Sequence, residues 1–182
     1  MTIFKNKLAK TLAFCGMALA LGYIASFIKF ASLPMGGSIT LFSMMFICLI
    51  GYLYGLKVGL MAAVAYGILQ FLQKPVYIHP VQPILDYLLA FGALGLSGFF
   101  KDRKYGLITG YLVAVFFRFM FHSLSGYVFF TRMSSANAFE ASIASFAYNL
   151  TYILPEAILT VIILLLPPVK NAMNKVKELA TS

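Results

Sequence analysis

Arg118, His122, Ser125 and Phe129 lie four, three and four residues apart in the run FFRFMFHSLSGYVFF at 116–130. That spacing sets all four on one face of a helix. The rest of the run is apolar enough for a bilayer, where a central arginine costs about 2.5–3.5 kcal/mol on insertion scales. A group that expensive needs compensation inside the protein, either pairing with Asp86 or bonding to carbonyls as a structural brace. Three further polar groups fall in apolar stretches: Asp86 with Tyr87 beside it, Asn149, and Glu156 seven residues on from Asn149. Asn149, Tyr152 and Glu156 share a helical face. A carboxylate supplies charge, histidine and asparagine supply directional hydrogen bonds, and tyrosine and phenylalanine rings supply stacking. Together they suit a small aromatic or cationic ligand.

Catalytic readings fit these residues less well. Ser125 and His122 are on the same helix, whereas a nucleophile's base is usually brought in from elsewhere in the fold. The other histidine, His79, falls in a loop. There is no HExxH, no paired-aspartate motif and no Cys/His cluster, and no Walker motif, so energy from ATP would have to come from another chain. Cys15 and Cys48 are isolated in apolar segments and read as small core residues. A membrane enzyme using His122 and Asp86 in acid–base work is the alternative from a different class.

The elements that must position these groups are membrane helices. Of 182 residues, 62% are hydrophobic and only 10% charged, and the mean hydropathy is +0.91, far above soluble domains. The expectation is a single all-α integral membrane domain, 1–182, with six transmembrane helices near 8–30, 39–54, 56–72, 83–100, 107–130 and 141–166. The first run is too long for a signal-peptide core and reads as a retained helix. Between the first two helices, SLPMGGS at 32–38 marks irregular backbone. Loops are expected at 73–82 and 131–140, and Pro155 falls inside the sixth helix.

The net charge of +9 does not form a nucleic-acid-binding stripe, because the cations gather at helix ends. Lys5, Lys7, Lys10, Lys57, Lys101, Arg103, Lys104, Lys170, Lys175 and Lys177 fall on one side, against Lys29, Lys74 and Arg132 on the other. The asymmetry predicts cytoplasmic termini. Asp86, His122 and Asn149 then lie in the outer half of the membrane, lining a pocket open to the outside.

Five segments, LPMGGSITL (33–41), GLKVGL (55–60), HPVQPILDYLLAFGALGLSG (79–98), RFMFHSLSGYVFF (118–130) and YNLTYILPE (148–156), occur in one order across most of the chain. Together they resemble the thiamine-specific S-components of energy-coupling factor transporters. The resemblance implies a six-helix binding subunit of the bacterial plasma membrane, without a cofactor. It would capture thiamine outside and work with a membrane coupling protein and two ATPases. An S-component for another small vitamin or an aminopyrimidine precursor is the alternative within transport. Asp86 stands where the family has an acidic ligand contact, followed by Tyr87, and His122 and Asn149 match its pocket histidine and asparagine. Phe130 and Gly37 stand where some members carry tryptophan, and Tyr152 and Tyr77 complete the expected ligand contacts. Ala144 departs from a family tyrosine, a role left to Phe146, Tyr148 or Tyr152. Ala9, Ala13, Gly16 and Ala20 offer the small-residue spacing with which the family's first helix docks on its coupling protein.

Overall fold

The computed structural model describes residues 2–133 and 137–181. Among the described residues seven helices carry the fold: α1 (Thr2–Phe27), α2 (Ser43–Tyr54), α3 (Leu56–Gln73), α4 (Val81–Phe100), α5 (Gly106–Met133), α6 (Ala138–Leu165) and α7 (Pro167–Thr181). In hydrocarbon every backbone polar group must find its partner within the segment, which leaves the helix as the local solution for these apolar runs. Five of the helices are long and apolar enough to cross a bilayer. The other apolar one, α2, has 12 residues, about 18 Å at 1.5 Å per residue. It is shorter than the expected 39–54 because residues 38–40 form a strand instead.

That strand, β2 (Ser38–Thr40), pairs antiparallel with β1 (Lys29–Ser32). The irregular backbone expected at 32–38 is the turn of a hairpin, residues 33–37, with strands on either side that the sequence reading did not expect, and α1 ends at Phe27. The turn is carried by Gly36, whose φ of +99° lies in the region glycine tolerates best. Two other differences matter. Residues 131–133 are helical, and α6 opens at Ala138 on a reciprocal cap. There the Asn137 side chain accepts from the Glu140 N–H and the Glu140 carboxylate accepts from the Asn137 N–H. Residues 134–136 of the expected 131–140 loop lie outside the described residues. The polar tail is also helical: α7 turns Val169, Met173, Val176 and Ala180 inward against Leu53 and Leu107. α6 continues as helix through Pro155.

α4 is the least regular helix and sits against α2, α3 and α5. Residues Ile84–Leu89 follow π-helical bonding and Ala93–Phe100 tighten to 3-10. A π turn rotates the residues within it relative to the flanking helix and recurs at functional sites; here the turn holds Asp86 and Tyr87. Below it Tyr66, Ile47, Leu94 and Tyr111 form the packed centre. Large apolar side chains such as Leu12, Met61, Leu72, Phe116 and Ile162 remain on the outside. Lipid tails are as apolar as leucine, so those faces cost nothing in a bilayer, and tight packing selects the helix contacts.

Candidate functional site

The polar residues gather around one cavity of about 170 Å³, bounded by the hairpin, the α3–α4 loop and helices α2 to α6. Asp86 is its hub. One carboxylate oxygen meets His122 Nδ1 at 2.7 Å and the other accepts from the Ser125 hydroxyl at 2.6 Å. Both partners lie on α5, three residues apart, so the helical spacing that placed them on one face delivers them to the two oxygens of a single carboxylate. With its Nδ1–H donated to Asp86, the neutral imidazole presents Nε2 as an acceptor. That Nε2 is buried with no partner among the described residues.

Arg118 lies one turn along α5 from His122 and does not pair with Asp86, whose oxygens are already engaged. Its guanidinium stacks over the Phe91 ring, 4.1 Å from the centroid, a contact that compensates part of the burial cost. Its Nε and Nη1 are buried without a hydrogen-bond partner among the described residues. Native proteins satisfy most buried polar atoms. The Nε2 of His122 and the Nε and Nη1 of Arg118 thus leave unused hydrogen-bonding capacity in one cavity wall.

Asn149 lies on the wall with both ends of its amide engaged. Its Nδ2 donates to the Ser145 carbonyl at 2.9 Å and the His122 carbonyl at 3.2 Å, and its Oδ1 accepts from the Tyr152 hydroxyl. It joins α6 to α5 and aims the Tyr152 ring. Gly126 allows this: a Cβ there would run into the Ser145 hydroxyl of α6. At Gly37 a Cβ would come within 2.8 Å of both Tyr148 and Tyr152. The hairpin tip thus presses on those rings, and the Gly37 N–H donates to the Tyr148 hydroxyl at 2.9 Å.

Tyr87 closes another side. Its hydroxyl donates to the Lys74 carbonyl at 2.7 Å and accepts from the Val76 N–H at 3.1 Å, tying the α3–α4 loop to α4. Phe130 is on the cavity wall, edge-on to Tyr148. Tyr77 is not on the wall: it is 52% exposed and leans on Phe71, and Val76 takes its place in the lining. Of the three candidates to replace the tyrosine missing at Ala144, Tyr148 and Tyr152 line the cavity, while Phe146 faces outward and packs on Phe119. Ser125 and Glu156 belong to the wall although sequence reasoning gave them no part in the site. For Ser125 the signal was present in its shared face with His122. Among the described residues no group of three His, Cys, Asp or Glu side chains could hold a metal.

Ala9, Ala13, Gly16 and Ala20 form an exposed stripe on α1, and nothing lies within 4 Å of a Cβ placed at Gly16. The opposite stripe, Cys15, Ala18, Gly22 and Ala25, is buried and includes close contact with α2.

A bundle of lipid-compatible helices whose polar groups converge on one cavity defines an integral membrane protein with a polar pocket among its helices. Comparison with known proteins specifies which. The chain belongs to the thiamine transporter protein family (Thia_YuaJ), whose profile matches residues 12–176; its members are transporters, not enzymes. The chain is 36% identical over 151 residues to the thiamine transporter ThiT of Bacillus subtilis (strain 168), covering 75% of this chain and 78% of that one. The fold is shared with ThiT from Listeria monocytogenes, with a TM-score of 0.66 at 22% identity over 93% of this chain and 96% of the other.

Proposed function

We propose that this protein is a thiamine-binding S-component of the bacterial plasma membrane. In this reading it takes thiamine from the outside and releases it inward in complex with a membrane coupling protein and two ATPase subunits. The single observation that carries the reading is the Asp86–His122–Ser125 cluster facing a cavity walled by aromatic rings. Thiamine joins an aminopyrimidine to a thiazolium cation bearing a hydroxyethyl arm. Asp86 is suited to the cationic portion, since a carboxylate fixed by two hydrogen bonds in low dielectric attracts a cation more strongly than it would in water. His122 Nε2 can accept from the exocyclic amine, and Arg118 can donate to the hydroxyl oxygen. Phe130, Tyr148 and Tyr152 provide ring faces and edges. Asn149 and Tyr87 serve by holding the walls in place.

The charge asymmetry of the helix ends supports six membrane-crossing helices in one domain with both termini in the cytoplasm, which puts the cavity toward the outside. The exposed Ala9, Ala13, Gly16 and Ala20 stripe is the surface offered to the coupling protein, where small side chains let a second helix approach closely. The test is a thermal-shift screen of purified protein against thiamine, its aminopyrimidine precursor and other small vitamins. Thiamine should give the largest rise in melting temperature. A larger rise with another vitamin would reassign the ligand, and no rise with any of them would refute a binding subunit.

A further inference from the structure

Glu156 is the one acidic side chain of α6 inside the bundle, 3% exposed, and although it lines the cavity it has no assigned part in holding a ligand. A buried carboxylate is costly unless its oxygens are satisfied. Here one residue of the hairpin supplies several contacts to them. The Thr40 backbone N–H donates to Oε2 at 2.9 Å, and the Thr40 hydroxyl lies 3.0 Å from each carboxylate oxygen. That hydroxyl can accept in turn from the Ser43 hydroxyl 2.7 Å away, at the start of α2. Eight residues before Glu156, Tyr148 receives the Gly37 N–H at the hairpin tip. The two spacings match. Eight helical residues span about 12 Å and three strand residues about 10 Å, so β2 lies alongside α6 and is bonded to it at both ends. The two anchors differ in kind. The base is held by several contacts between Thr40 and one carboxyl group, and the tip by a single hydroxyl. Met35, Gly36, Gly37 and Ser38, at the turn and the tip, form part of the cavity wall.

We infer that Glu156 is a positioning residue for ligand retention: through Thr40 it fixes the base of the β1–β2 hairpin against α6, and with it the part of the cavity wall that the hairpin supplies. This rests on the cavity being the ligand site. Loss of the carboxylate frees the whole hairpin, whereas loss of the Tyr148 hydroxyl frees the tip alone.

The test places spin labels on Met35→Cys in the hairpin turn and Leu72→Cys on α3, in a background with Cys15→Ala and Cys48→Ala. Distances are measured by pulsed electron resonance on ligand-free, full-length protein. Glu156→Ala should broaden the distance distribution, and Glu156→Gln, which keeps an acceptor, should restore part of it. In the same variants without labels, the thiamine dissociation rate should rise about tenfold for Glu156→Ala, the equivalent of about 1.4 kcal/mol, and less for Glu156→Gln. Thr40→Val attacks the anchor from the other side and should raise it several-fold. It carries the test if Glu156→Ala does not fold. Folded variants with unchanged distance distributions and dissociation within twofold of the parent would overturn the inference. Failure of the parent itself to bind thiamine would instead overturn the proposed ligand, and the ligand-free distance measurement would still decide the role of Glu156.

Discussion

Replacing Asp86 by asparagine removes a charge while keeping nearly the same shape, and the structure allows the consequence to be worked out. The carboxylate accepts at 2.7 Å from His122 and at 2.6 Å from Ser125. The substituted amide would keep one acceptor oxygen and face the second partner with an NH₂ group, so one of the two hydrogen bonds is lost or reversed. A net hydrogen bond contributes about 0.5–1.5 kcal/mol, and one to a charged group about 1.5–3 kcal/mol. Loss of the attraction to a ligand cation falls in the second range, and the slackened His122 ring adds a contribution in the first. The sum, about 2–4.5 kcal/mol, corresponds to a Kd for thiamine raised roughly 30- to 2,000-fold. Isothermal titration calorimetry on detergent-purified protein measures this directly. A neutral thiamine isostere, in which an uncharged ring replaces the thiazolium, separates charge from shape. The parent should discriminate strongly between thiamine and the isostere, and Asp86→Asn should discriminate weakly, since the coupling between the two charges is what the double comparison isolates. A variant that binds thiamine within twofold of the parent, or that loses the same factor for both ligands, would refute the assignment of Asp86 to the cationic part.

Two other perturbations probe the framework and the outer surface. Gly126→Val puts side-chain atoms where the Ser145 hydroxyl of α6 sits. It should separate α5 from α6 and destabilise the protein by about 1–3 kcal/mol, the usual cost of overpacking, read as a lower melting temperature with weakened thiamine binding. Gly16→Leu adds bulk where a Cβ meets nothing within 4 Å. Thiamine affinity and melting temperature should stay within error of the parent, while uptake by cells carrying the complete transporter should fall several-fold. Unchanged uptake would remove this stripe from the docking surface.

Much of the site was legible in the sequence because it depends on helical spacing. His122 and Ser125 share a face by arithmetic alone, as do Asn149, Tyr152 and Glu156, and burying such groups in apolar helices forces them to converge. What escaped depends on contacts between elements. Asp86 and Arg118 are an obvious pair by charge, but the π turn at Ile84–Leu89 delivers Asp86 to His122 and Ser125, leaving Arg118 over Phe91. Nothing in ILDYLL announces that turn. The hairpin was partly readable, since KFAS and SIT flank a Pro- and Gly-containing turn, yet the long apolar run on either side reads as helix. Tyr77 falls in the right loop, but it is the neighbouring Val76 that faces the cavity. Glu156 was visible on the right face, and only its contact with Thr40, 116 residues away, gives it a role.

The Asp86 cavity is proposed to hold thiamine. The direct measurement is calorimetric titration of the purified parent with thiamine, alongside mass spectrometry of any small molecule released when the protein is denatured. Saturable binding of one thiamine per chain, suppressed in Asp86→Asn, is expected, with thiamine as the released compound. No saturable heat from protein shown to be free of bound ligand, or a different compound in the released fraction that thiamine cannot displace, would contradict it.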